Sequence, residues 1–146
     1  MQELARSMLI HANRRWPKAI DAHLWPHAVR LANDAHNEAV GRDGSPSPLE
    51  KFSQSSVEPN SKHWKPLGCP VYVLDTALQS DKVIKHKWEE RSRVGIYLGC
   101  SPQHARSVAL VLNLETGFVS PQFHVVFDPS FQTIKKSFGG NPPKSL

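Results

Sequence analysis

The chain has 146 residues, a formal net charge of +5 and a hydrophobic share of 39%. That length allows one domain or one small domain with an appendage, and no apolar run approaches the roughly 18 residues of a membrane span. Two cysteines, Cys69 and Cys100, are too few for a disulfide scaffold and read as reduced thiols. The positive excess favours acidic partners such as nucleic acid through phosphate attraction and counterion release.

Residues 1–40 predict two helices. Leu4, Ala5, Met8, Leu9, Ala12 and Trp16 fall on one face at helical spacing, so a helix is expected over 3–16. No cap or turn residue precedes Glu3, so the chain reads as beginning inside a helix, which suggests a piece of a longer protein. Pro17 disfavours helix at Trp16 and ends the run. A second helix, over 22–39, carries Trp25, Ala28, Val29, Ala32, Ala35 and Ala39 as its apolar stripe. Pro26 is tolerated only near its first turn. Residues 41–66 are rich in Gly, Ser, Pro and polar side chains and predict a flexible linker. Within it only Pro48, Leu49 and Phe52 look able to dock.

Residues 67–134 predict β-structure. Val71 to Leu74 forms a short apolar run. Val94, Ile96 and Leu98 alternate with Gly95, Tyr97 and Gly99, and Val108, Leu110, Leu112 and Leu114 alternate in the next segment. Glu115-Thr116-Gly117 marks a turn, with Phe123, Val125 and Phe127 alternating on the expected return strand. Four or five short strands suggest a small barrel or half-open sandwich. Residues 135–146 read as a disordered tail. The fold class expected is therefore α+β: two N-terminal helices, a linker and a small β-barrel.

No constellation points to catalysis. His23 and His27 stand four apart, but neither an intervening acid nor a Cys pair accompanies them, and they read as surface histidines. No Gly-x-Ser-x-Gly elbow and no phosphate-cradling Gly-rich loop exists. Glu89 and Glu90 adjoin Arg91 and Arg93 and read as a solvated mixed-charge run. The basic stretch Lys82, Lys85, Lys87, Arg91 and Arg93, with Trp88 interleaved, is the candidate binding site. Basic side chains position a protein on phosphates and an aromatic can stack on a base. From the residues themselves, a charged loop with Trp88 turned into the core is an equal alternative.

Several ordered motifs resemble copia-type LTR retrotransposon polyproteins over about residues 1–133. Ala5-Arg6-Ser7-Met8-Leu9 resembles the helix after the integrase's catalytic glutamate. Leu24-Trp25, Ala28, Ala32 and Asn37 resemble the next helix, and Ser47-Pro48-Leu49-Glu50 a linker motif. His63 with Leu67-Gly68-Cys69-Pro70-Val71-Tyr72-Val73, then Lys87 to Arg91 with Gly95-Ile96-Tyr97-Leu98-Gly99, and finally Val125-Val126-Phe127-Asp128, resemble successive strands. The resemblance implies an SH3-like barrel behind an integrase core. Glu3 is too close to the Ala-Arg-Ser motif to be the core's glutamate, and Asp21 and Asp34 match no member of its Asp/Asp/Glu triad. Leu67 stands where the family has Phe, and Cys100 where it often has Tyr. The expectation is a non-enzyme without cofactor, metal, membrane or small-molecule substrate. Its partners would be nucleic acid, expected to be DNA without sequence preference, and either the integrase core or a second copy through the helices, in the nucleus if it acts in integration. A protein-assembly barrel and an inert relic of a decayed element are the alternatives.

Overall fold

The computed structural model describes residues 2–56, 64–74 and 92–134. Helix α1 (Gln2–Arg15) stops immediately before the Trp16-Pro17 pair, as the proline requires. A 3-10 turn (Ala22–Leu24) follows, capped by the Asp21 carboxylate, which accepts from the His23 backbone N–H at 2.9 Å. It leads into α2 (Trp25–Glu38), where Pro26 occupies the first turn and removes a donor that would have had no partner. The face of α2 that is buried consists of Ala28, Leu31 and Ala32. Trp25 and Val29, expected in the apolar stripe, are instead 60% and 39% exposed.

Within the segment expected to be a linker, α3 (Pro48–Ser53) forms and packs on α2. Its start is a reciprocal cap. The Glu50 N–H donates to Ser47 Oγ at 3.3 Å and the Ser47 N–H donates to Glu50 Oε2 at 2.8 Å. Phe52, read as able to dock, is 90% exposed.

Strands β1 (Pro70–Leu74), β2 (Ser92–Cys100), β3 (Ala109–Asn113), β4 (Val119–Gln122) and β5 (Val125–Phe127) form one antiparallel sheet in the order β4-β3-β2-β1-β5. The expected hairpin after Glu115-Thr116-Gly117 exists, but its return strand is β4, with Leu112 opposite Val119. The louder Phe123-Val125-Phe127 alternation belongs to β5, which pairs with β1 at the opposite edge, and Phe123 is exposed.

The expected closed SH3-like barrel is corrected by this topology. The outer strands β4 and β5 are not paired with each other, so the sheet is open. It must nevertheless be rolled. A flat five-stranded sheet separates its edges by about 19 Å. Only Phe123 and His124 join Gln122 to Val125, a reach of at most about 11 Å.

One face of the sheet shares a core with the helices: Ala5, Ala12, Trp16, Ile20, Ala28, Leu31 and Ala32 pack with Leu67, Ile96, Leu98 and Leu112. Trp16 Nε1 donates to the Gly68 carbonyl at 2.8 Å, so its buried indole N–H is satisfied. Gly68 is required there: φ is +84°, and an added Cβ would lie 2.8 Å from that of Ala12. The helical segment is thus built onto the sheet through a shared core. The other face gathers Cys69, Val71, Val73, Tyr97, Ala109 and Val111, with Val125 and Phe127 against them. After β5 the chain returns to the helical side. Asp128 accepts from the Thr133 N–H and hydroxyl at 2.6 and 2.7 Å, and Phe131 packs under Arg15, whose Cζ is 4.4 Å from the ring centre.

Candidate nucleic-acid interface

Of the six residues singled out by sequence, Lys82, Lys85, Lys87, Trp88 and Arg91 lie outside the described residues. Arg93 lies within β2, opposite Val73, four residues before Tyr97 and therefore on the same face. It is half-buried, and its Nη1 is buried without a hydrogen-bond partner among the described residues. A buried guanidinium donor without an acceptor is costly, and a nearby anion would relieve it.

Two adjoining cavities open where β2 ends, and sequence reasoning identified neither. They share Tyr97, Cys100 and Arg106. The first, about 300 Å³, is lined by Lys65, Ser107, Ala109 and Phe127 besides the shared three. Phe127 stands edge-on to Tyr97 with ring centres 5.2 Å apart, and Lys65 Nζ lies 5.7 Å from the Phe127 ring centre. That is a cation beside an aromatic at a half-exposed rim.

The second cavity, about 360 Å³, lies between α2 and the connection from β2 to β3. Arg30, Asp34 and Glu38 reach it from one ridge of α2, because a spacing of four residues repeats along a helix face. Leu31, Trp64, Tyr97 and Pro102 supply apolar walls. Glu38 is spoken for: Oε2 accepts from Trp64 Nε1 at 3.0 Å and Oε1 pairs with Arg106 Nη2. The Glu38 side chain is only 8% exposed and that of Arg106 57%, so this pair fixes the wall more than it stabilises the fold. Asp34 differs. Its carboxylate makes no hydrogen bond to any described residue, and burial raises its pKa against the opposing pull of Arg106 and Arg30.

Burial also raises the Tyr97 phenol, whose OH sits 3.6 Å from Cys100 Sγ, and it pushes the Cys69 thiol up to about 12. Neither group is poised as a nucleophile near neutral pH. His23 is exposed and His27 half-buried, and among the described residues no group of three or more His, Cys, Asp or Glu could hold a metal ion. Among them, too, no helix is long and apolar enough to cross a membrane.

The class that these observations define is an α+β protein with an open, rolled antiparallel sheet and helices on one face. No protein-family model, curated protein or solved structure matches the chain. The terms that came with the copia resemblance, retrotransposon, integrase and DNA integration, therefore gain no support from comparison, and its barrel is overturned by the open sheet.

Proposed function

We propose that this chain is a non-catalytic module that grips the phosphate backbone of nucleic acid and positions it for chemistry performed elsewhere. The observation that carries this reading is the cleft of Lys65, Arg106 and Ser107 against Phe127, a cation-and-aromatic rim on a chain of net charge +5. The run Lys82, Lys85, Lys87 and Arg91, with Trp88 interleaved, precedes β2 in sequence and, with Arg93 inside that strand, supplies further cations. The resemblance of its motif order to copia-type polyproteins is what favours DNA as the nucleic acid in this reading. A second reading, assembly with another protein or a second copy, is favoured by Trp25 and Val29, exposed one turn apart on α2.

Salt separates the two. Phosphate contacts predict an affinity for duplex DNA that falls by about 0.9 log units per log unit of salt for each contact. Replacing Lys85, Lys87, Arg91 and Arg93 together by Gln should weaken binding and flatten that slope, as read by fluorescence anisotropy. Absence of binding at low salt, or binding indifferent both to the quadruple substitution and to Lys65→Gln combined with Arg106→Gln, leaves the assembly reading.

A further inference from the structure

We propose that the cavity between α2 and the end of β2 receives a single unpaired nucleotide, with Asp34 accepting from the edge of a guanine base and Arg30 and Arg106 meeting the adjoining phosphates. This inference rests on the nucleic-acid reading and deepens it, from a backbone grip to a receptor for an unstacked base.

Three features of the cavity converge. Its volume, about 360 Å³, falls in the range of small-ligand sites. Trp64 and Tyr97 line it beside Leu31 and Pro102, the partly aromatic, apolar surroundings that an unstacked base prefers to water. Its polar groups are also divided by role. Glu38 is used up in holding Trp64 and Arg106, which leaves Asp34 as the acceptor lacking a donor among the described residues. A carboxylate offers two oxygens side by side. Guanine presents two neighbouring donors, the ring N–H and the exocyclic amino group, on one edge. Cytosine and adenine offer a single amino group there, and thymine sets its one N–H between two carbonyls that a carboxylate repels. In a duplex that edge is occupied by pairing, so the cavity accepts a base only from an unpaired stretch.

Arg30 stands one turn before Asp34 on the same ridge, and both Arg30 and Arg106 are exposed. A base held by Asp34 brings its own backbone to this rim. The same two guanidinium groups disfavour a lysine or arginine side chain as occupant, which is why a nucleotide is preferred to a basic peptide. Arg106 also lines the Lys65–Phe127 cleft, so a strand leaving one cavity passes directly to the other.

The test measures binding of the full chain to an all-thymine oligonucleotide, to the same strand with one central guanine, and to a hairpin duplex of equal charge. The guanine strand should bind on the order of tenfold more tightly than the thymine strand, in line with one bidentate base contact. Asp34→Asn should abolish that preference, read as the ratio of guanine-strand to thymine-strand affinity, so that the change both strands share from losing a charge beside Arg30 and Arg106 cancels. The guanine strand should also quench tryptophan emission more than the thymine strand does in the native chain, and that excess should vanish in Trp64→Phe, a readout independent of the Asp34 variant. Equal binding of all three oligonucleotides, or a preference that survives Asp34→Asn, overturns the inference and leaves the backbone grip intact. Failure of every oligonucleotide to bind at low salt overturns both. An arginine-rich peptide that binds where the oligonucleotides do not, and loses binding in Asp34→Asn, overturns it in favour of a protein partner.

Discussion

His27 shows how burial turns a side chain that sequence reads as ordinary into a sensor of acidity. The ring is half-buried on α2, and Nδ1 is buried without a hydrogen-bond partner among the described residues. Desolvation, then the charge of Arg30, lowers its pKa below 6.5, and His11 is lowered in the same way by burial and by Arg15 and Arg14. The sign follows from proton counting. Between the lowered folded value and 6.5 the unfolded chain binds more protons than the folded one. Stability is therefore complete above 6.5 and falls as pH drops through that window. Urea unfolding at a series of pH values should show this fall, and it should be shallower in His27→Gln. An equal slope in the variant would remove His27 as a source. None of this was legible beforehand: the spacing of His23 and His27 is visible in the sequence, but which of them is buried depends on where the 3-10 turn gives way to α2.

The helices and strands differ in how clearly they were written. Helices α1 and α2 follow from periodicity and from Pro17 and Pro26, and β2 from Val94, Ile96 and Leu98. Helix α3 was hidden by a composition of Ser, Pro and charged residues, although Ser47-Pro48-Leu49-Glu50 is a capping-box sequence with proline at the first helical position. Since six residues cannot hold a helix alone, that cap matters more here than in a long helix. Ser47→Ala should cost α3 about 1 kcal/mol of local stability. Hydrogen exchange at Glu50 and Lys51 should accelerate accordingly, while amides of β2 remain unchanged; an equal acceleration in β2 would mean that α3 unfolds only with the whole. The strands misled for a different reason. Alternation reports that a strand has a buried face, not which neighbour it joins, so Phe127 could be read as the partner of β3 when it pairs with Val71 of β1.

Across the whole fold, the described helices and one face of the sheet are joined by a common core. Trp16, Ile20 and Leu31 are almost wholly buried against Leu67, Ile96 and Leu98. Removal of one such side chain from a core typically costs about 2–5 kcal/mol, against about 5–15 kcal/mol for a domain's entire stability. A chain lacking residues 1–40 should therefore lose cooperative unfolding, seen as the absence of a sharp thermal transition; a sharp transition in the truncated chain would instead show two separable parts. The candidate site was illegible for the same reason. Asp34, Trp64, Tyr97 and Arg106 come from distant parts of the chain and meet only after α2 has seated on the sheet. Sequence had marked Asp34 only as a residue without a place in a catalytic triad, while the cations that it did single out lie mostly outside the described residues.

The two-residue hop from β4 to β5 bears on how the chain assembles in time. Pairings such as Leu112 with Val119 join near neighbours in sequence, whereas Val71 with Phe127 closes most of the length of the sheet. Local contacts lose less loop entropy and form sooner. The β2-β3-β4 meander is thus the natural early structure. Because Phe123 and His124 leave so little slack, the arrival of β5 beside β1 must coincide with the rolling of the sheet. The cleft that Phe127 walls against Lys65 and Arg106 would then be completed only in the last stage of folding.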